Sequence, residues 1–171
     1  DAWVAEWLVW AVLAVVESGD DAALAPVAAH LAANDQRYAN ALRIARLFGH
    51  YADHRPSLLR RWSADPGAAA SGLGFDGWQV VLWRRLHGVV DAPDPLVRRE
   101  ALVRRLAAGE QPVAWPHVHV FAPRRATPVQ RELLRALAGR VGVSVWLPAS
   151  GPLDTAHPVG VALGRRGRTW R

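Results

Sequence analysis

The stretch HVHVFAPRRATPVQRELLRALAGRVGVSVWL, residues 117–147, decides the fold class of this chain. Apolar and polar residues alternate over 117–121 and again over 143–147, which predicts two short strands. Between them, over 127–140, apolar residues recur at the three- and four-residue spacing of a helix. Strand, helix and strand in this order predict a βαβ unit whose two strands run parallel.

The predicted helix of this unit has a clear start signal. Thr127 is followed by Pro128 and, three residues after the threonine, by Gln130. A threonine N-cap with a glutamine at the third helical position forms a capping box, and proline is favoured at the first helical position. We therefore expect the helix to begin immediately after Thr127.

Upstream of the βαβ unit the pattern is helical throughout. Apolar spacing, with Gly and Pro between the runs, predicts helices over 2–17, 21–33, 35–53, 56–63, 78–90 and 95–108. Asp35 is the expected N-cap of the third helix, residues 65–77 are an expected exposed loop, and Trp3, Trp7, Trp10, Tyr38, Trp62, Trp78 and Trp83 are expected in the core. The predicted fold class is α/β and predominantly helical, with a helical subdomain over 1–111 and an incomplete βαβ domain over 112–171.

The charge of the chain favours an anionic partner. Its 21 basic residues are all arginine and, against 15 acidic residues, give a formal charge of +6. The guanidinium fork binds phosphate in a bidentate manner, so the excess is compatible with nucleic acid. A GC-rich genome that replaces lysine by arginine explains the same composition, and both interpretations stay open.

The composition also indicates the cellular compartment and excludes several kinds of chemical site. The chain has no cysteine, which excludes disulfides, Cys-based zinc sites and a thiol nucleophile within it, and a reducing cytoplasm is the expected location. The most apolar stretch, 2–16, is too short to cross a bilayer, so no membrane contact is expected. Because the chain begins at Asp1 rather than Met, we expect it to be an internal segment of a longer protein.

The loop after the first predicted strand is the natural position for a ligand, because open α/β sheets bind ligands beyond the carboxyl ends of their strands. It reads Ala122-Pro123-Arg124-Arg125-Ala126 and contains no carboxylate to hold Mg²⁺. Arg124 and Arg125 could bind phosphate together with the helix N-terminus, or they could be a solvated turn. No lysine is available for a phosphate-binding loop within this segment.

No complete catalytic or metal site is predicted. His50 and His54 are one helical turn apart and His117 and His119 share a strand face, but neither pair has a third ligand at a recognisable spacing. We interpret these histidines as ordinary surface or hydrogen-bonded residues. A His-based, metal-dependent enzyme remains the weaker alternative.

The order of motifs from residue 37 to 168 resembles the gamma-subunit family of exodeoxyribonuclease V (RecC). The motifs are Arg37-Tyr38-Ala39-Asn40 through Leu47-Phe48 and Tyr51, Arg55-Pro56 to Trp62, Trp78-Gln79-Val80-Val81-Leu82-Trp83-Arg84, Val118 to Pro148, His157-Pro158, Leu163-Gly164-Arg165 and Gly167-Arg168. The resemblance implies a helicase-like fold of superfamily 1 type whose ATPase site has decayed, with the βαβ unit in a RecA-like sheet.

The same resemblance implies a function. The family's subunit partners a beta helicase-nuclease chain and an alpha helicase chain, binds a duplex end, and threads a single strand past a face that scans for the recombination hotspot Chi. ATP and Mg²⁺ are then cofactors of the partner subunits, with none in this segment. The implied role is non-catalytic guidance of DNA in double-strand break repair.

Individual residues carry this implication. Leu47, Arg55 and Arg99 match family positions near the scanned strand, whereas Arg46, Gly49 and His50 stand where well-known members are acidic. Arg55 could equally be a helix C-terminal cap or part of a salt bridge. The alternative function is a helical protein-interaction module without DNA contact, which an exposed apolar face would favour.

Overall fold

A computed structural model describes residues 1–19, 21–33, 35–64, 77–121 and 126–146, together with the backbone of 169–170. Within these residues the elements are α1 Ala5–Glu17, a 3-10 turn Ala22–Leu24, α2 Ala25–Ala32, α3 Arg37–His54, α4 Pro56–Ala64, α5 Trp78–Val89, α6 Pro95–Ala108, β1 His117–Phe121, α7 Pro128–Ala138, β2 Gly142–Trp146 and β3 Thr169–Trp170. The prediction of a mostly helical chain with a small parallel sheet is confirmed. Contacts divide the chain into two compact units, Asp1–Arg98 and Arg99–Arg171.

The first unit is built around α1, which packs against α3 and α5. Trp83 of α5 lies at the centre, with its ring centroid 5.3 Å from that of Trp3 and 5.5 Å from that of Phe48. The indole N–H of Trp83 donates to Ser63 Oγ at 3.1 Å. Burial of large aromatic rings stabilises a small unit strongly, so these contacts are the core of the helical subdomain.

Trp62 and Tyr51 extend this core toward α4. Their rings meet edge to face at 5.8 Å, and the Tyr51 hydroxyl donates to Gln79 Oε1 at 3.1 Å. Helix α4 begins at Pro56 directly after the end of α3, where a missing N–H costs nothing. The predicted break at Arg55-Pro56 is therefore confirmed.

Two of the tryptophans expected in the core are exposed instead. Trp7 is 67% and Trp10 is 58% exposed, while Leu8, Val9 and Val12 on the other side of α1 are buried. Tyr38, also expected inside, is 45% exposed and lies with its ring centroid 5.4 Å from that of Trp10. In a helix that is apolar almost all round, the spacing alone does not determine which side packs inward, because both sides repeat at the same period.

Several predicted helix starts were also wrong. The N-cap of α3 is Gln36, which makes no side-chain capping bond, rather than Asp35. The second predicted helix is divided into a 3-10 turn capped by Asp21 and a separate α2 with Pro26 in its first turn. Proline lacks the N–H that an interior helical position needs, so α2 begins one residue before it.

The second unit contains the predicted βαβ motif. β1 and β2 pair in parallel with Val118 opposite Val143 and His119 opposite Ser144, and α7 packs against β2. The capping box at Thr127 is present with both of its hydrogen bonds, at 2.9 and 3.1 Å. A short strand that the sequence did not predict, β3, pairs antiparallel with β2.

The two faces of this sheet differ in composition. Val118, Val120, Val143 and Val145 alternate with His117, His119, Phe121, Ser144 and Trp146 along the strands. Val143 is buried, whereas Phe121 is 71% and Trp146 is 55% exposed. Gly142 has no side chain at a position where a Cβ would collide with the imidazole of His117. The expected loop 65–77 lies outside the described residues except for Gly77.

Candidate nucleic-acid interface

Among the arginines of the first unit, one group pairs with carboxylates and a second group has no side-chain partner, whereas Arg43 and Arg84 donate to Asn40 Oδ1 and Trp62 O. Four arginines form ion pairs with carboxylates: Arg37 with Glu17, Arg46 with Glu6 at 3.9 Å, Arg85 with Asp21 at 3.5 Å, and Arg98 with Asp1 at 2.7 Å. An ion-paired guanidinium is a poorer phosphate ligand, since binding an anion costs it an existing partner. The first unit holds nine arginines against eleven acidic residues, a formal charge of −2, so the positive charge of the chain lies in the second unit.

Arg55 and Arg61 belong to the other group. Both are exposed, and within the part of the chain that the structure describes neither forms an ion pair or a side-chain hydrogen bond. Arg55 is the C-cap residue of α3, but only its backbone takes part, through an N–H bond to Tyr51 O at 2.8 Å. The salt-bridge alternative for Arg55 is thus not observed, and its guanidinium points to no acidic partner.

Leu47 lies two turns before Arg55 on α3 and is half-buried. It lines an open groove of about 800 Å³ between α2, α3 and the start of α5. The groove is mainly apolar, with Val27, Ile44 and Trp78 in its wall, and His30 and Arg43 are its polar groups. Such an apolar groove can accept a planar, partly apolar group, and Arg43 is the guanidinium that lines it.

The remaining predicted site residues are not brought together with Leu47 and Arg55 by any described contact. Arg99 is half-exposed on α6 and interacts with another part of the chain. Arg124 and Arg125 lie outside the described residues, so the predicted phosphate-binding turn stays a prediction. The same holds for the His157-Pro158, Leu163-Gly164-Arg165 and Gly167-Arg168 motifs.

A half-buried pair in the first unit, His87 and Asp94, was not predicted from the sequence. His87 lies against the rings of Trp3 and Trp83, and its Nε2 is 3.2 Å from Asp94 Oδ2 without the alignment of a hydrogen bond. Desolvation by burial lowers the pKa of His87, and the charge of Asp94 opposes this shift. Asp94 also caps α6, since its Oδ1 accepts from Leu96 N at 2.7 Å.

This pair has a structural role. The hydroxyl of Ser63, an exposed residue, accepts the indole N–H of Trp83 at 3.1 Å. A nucleophile–base–acid chain is therefore absent from the described contacts around His87, and the pair links the end of α5 to the start of α6.

The exposed face of the second unit carries a continuous row of rings. The imidazoles of His117 and His119 stack at 4.4 Å, and Phe121 lies 6.1 Å from Trp146 with 10° between the ring planes. His117 Nε2 is 2.8 Å from Ser144 Oγ, and Trp146 Nε1 donates to His119 Nδ1 at 3.3 Å. The histidine pair noticed in the sequence is hydrogen-bonded, as expected for a structural pair.

Two further observations bear on partners. Among the described residues there is no group of three or more His, Cys, Asp or Glu side chains that could enclose a metal ion. Within the same part of the chain, every helix is too short or too polar to cross a bilayer.

Comparison with known proteins gives a consistent result. The family described as "RecC, N-terminal domain" matches residues 1–154. The chain is 32% identical to the RecBCD enzyme subunit RecC of Mycolicibacterium smegmatis, over 96% of this chain and 17% of that protein. It is 35% identical to the subunit of the same name from Mycobacterium tuberculosis, over 86% of this chain and 14% of that protein. The chain therefore spans about a sixth of the length of these relatives. No solved structure matches it significantly.

Proposed function

Since this chain belongs to the RecC family, we propose that it is a non-catalytic, DNA-guiding segment of an ATP-dependent helicase-nuclease that acts in double-strand break repair. The relatives are named as subunits of the RecBCD enzyme, which supports an assembly with beta and alpha partner subunits. The ligands in this proposal are a duplex end and the single strand drawn from it. Such a role places the protein in the cytoplasm, with the chromosome.

The observation that supports the proposal is the arrangement of side chains toward the carboxyl end of α3. Arg55 is exposed there without a carboxylate partner, and Leu47 opens into an apolar groove on the same helix. Phosphate contacts by arginine supply affinity for any sequence, whereas apolar contacts with bases can add preference. An exposed arginine without a carboxylate partner and an apolar groove along the same helix support contact with a single strand.

The scanning function is the finer part of this proposal. Arg46, Gly49 and His50 occupy family positions that are acidic in well-known members, and Arg46 is paired with Glu6. Cationic or neutral groups there alter which base edges can be bound, since a carboxylate accepts hydrogen bonds and an arginine only donates them. We therefore propose that the protein does not read the same Chi as the acidic family members; it reads a different sequence or none.

The second unit supports the decayed-ATPase part of the proposal. Its parallel strand pair and crossover helix are the local arrangement of a RecA-like sheet. Residues 122–126, which follow the carboxyl end of β1, include no Asp or Glu to hold Mg²⁺. ATP and Mg²⁺ are accordingly assigned to the partner subunits, and the proposal gives this segment no catalytic residue.

A salt titration tests the proposed function. The full-length protein, assembled with its partner subunits, is expected to bind single-stranded DNA with an affinity that falls steeply and linearly on a log–log plot against salt. Absence of DNA affinity at low salt in the assembled complex would contradict the proposal. The isolated segment is not the right sample, since a DNA channel requires several domains.

A protein-interaction module is the second candidate, and the exposed face of α1 favours it. Trp7, Trp10 and Tyr38 form an aromatic patch with the Glu6–Arg46 and Glu17–Arg37 ion pairs on the same two helices. An aromatic centre with compensated charges is typical of a protein interface. If W7A/W10A weakens subunit assembly while DNA affinity of the assembled complex is unchanged, this patch serves assembly and not DNA binding.

A further inference from the structure

Two imidazoles stand together at the carboxyl end of α3. His50 and His54 are both exposed, and their ring centroids are 4.2 Å apart with 28° between the ring planes. They are four residues apart on one helix, so they lie on the same face, one turn above the other. Neither ring forms a hydrogen bond or an ion pair within the part of the chain that the structure describes. Their nitrogen lone pairs are therefore not engaged by other groups of the protein.

This spacing suits a divalent transition metal. Bonds from imidazole nitrogen to Zn²⁺ are about 2.0–2.1 Å long, so two nitrogen ligands of one ion lie roughly 3 Å apart. The lone pairs of stacked rings lie in nearly parallel planes, so binding one ion requires both side chains to rotate until their ring edges converge on it. Helical zinc motifs use the same four-residue spacing to place two histidines on one ion.

The position of the two histidines at the end of α3 adds an electrostatic contribution to cation binding. His54 is the last residue of α3, where the final carbonyl groups and the negative end of the helix dipole favour a cation. The neighbouring Arg55 opposes an added positive charge, whereas Arg46 is already paired with Glu6 at 3.9 Å. A weakly coordinating cation would not overcome the repulsion, so the site should select ions that bind imidazole strongly.

We propose that His50 and His54 form a bidentate site for a first-row divalent cation of the imidazole-binding class, Cu²⁺ above Ni²⁺ and Zn²⁺. The described residues provide no group of three metal-binding side chains. Water or an exogenous ligand therefore takes the other coordination positions, and the affinity is that of two ligands acting as a chelate. The site is distinct from the metal-dependent enzyme considered from the sequence, because it holds no catalytic base.

The same chain supplies a matched control in His117 and His119. Their rings also stack, at 4.4 Å and 25°. However, His117 Nε2 is bonded to Ser144 Oγ at 2.8 Å, and His119 Nδ1 accepts the Trp146 N–H at 3.3 Å. Binding a metal there would cost one of these hydrogen bonds, so stacking alone should not produce a site of equal affinity.

The test is a calorimetric titration of the chelator-treated, full-length protein with CuCl₂, NiCl₂, ZnCl₂ and MgCl₂ at pH 7.5, without DNA. H50Q and H54Q are each expected to lower the Cu²⁺ affinity about tenfold or more, because either change removes the chelate. The double variant H117Q/H119Q is expected to leave the Cu²⁺ affinity unchanged. Mg²⁺ should not bind at this site.

Three results would overturn the proposal. The first is that H50Q and H54Q leave the Cu²⁺ affinity unchanged. The second is that H117Q/H119Q, rather than H50Q or H54Q, abolishes Cu²⁺ binding. The third is a loss in H50Q but not in H54Q, which would indicate a single-histidine contact. All His-to-Gln changes lie on exposed side chains, and circular dichroism of each variant verifies its fold. Because DNA is absent, the outcome is independent of the proposed function.

Discussion

Replacing Arg55 by alanine is expected to remove one phosphate contact and little else. The side chain is exposed and forms no ion pair within the described residues, so its loss leaves no carboxylate unpaired. Each phosphate contact on a single strand contributes roughly −0.7 to the slope of log affinity against log salt. If the contact is purely electrostatic, R55A weakens binding about fivefold at 0.1 M salt and about twofold at 0.3 M, and about fivefold corresponds to roughly 1 kcal/mol.

The assay is fluorescence anisotropy of a labelled single-stranded oligonucleotide with the assembled complex, over a series of salt concentrations. R85A is the matched control, because it changes the net charge equally but removes an arginine already paired with Asp21 at 3.5 Å. The slope should become shallower by about 0.7 in R55A and stay the same in R85A. Equal slopes for R55A and the wild-type protein, or equal effects of the two variants, would refute the assignment of Arg55.

Three further predictions concern stability, each measured by urea or thermal unfolding. T127A should destabilise the second unit by about 1 kcal/mol through loss of the α7 cap, and an unchanged midpoint would contradict this. W83F and S63A each remove one partner of a single hydrogen bond of 3.1 Å. The loss of unfolding free energy in the double variant should therefore be about 1 kcal/mol smaller than the sum of the two single losses. Full additivity of the two losses would exclude that bond. The lowered pKa of His87 means that its stabilising contribution is fully present above the unfolded value of 6.5 and is lost as the pH falls through the lower folded pKa. H87L should remove this part of the pH dependence, and identical pH profiles would show that His87 does not titrate as described.

The sequence predicted the strands and helix of the βαβ motif because their signals are local. A capping box, a proline at the first helical position and strict alternation each act over a few residues, and the observed β1 and α7 agree with them. The strand β3 was missed, since a two-residue strand has no periodicity of its own and forms only by pairing with β2. Local patterns thus predict the elements that carry their own capping and alternation.

The candidate site was less predictable. A composition of 21 arginines against 15 acids indicates an anionic partner but not which arginine is available to it. Arg85 pairs with Asp21 and Arg98 with Asp1 across 64 and 97 residues of sequence. Neither partner can be identified from spacing, because these ion pairs form only when segments distant in sequence meet in the fold.

What the sequence alone determined is the helical character of the first unit, the parallel strand pair of the second, and the resemblance to the RecC family. Tertiary structure alone decided that Trp7 and Trp10 face outward, that His87 is held between two indoles beside Asp94, and that Arg55 stays without an acidic partner. The physical reason is the distance along the sequence over which each kind of interaction acts. Capping and periodicity are set by neighbours within one turn or one strand, whereas burial and charge compensation depend on residues that only folding brings together.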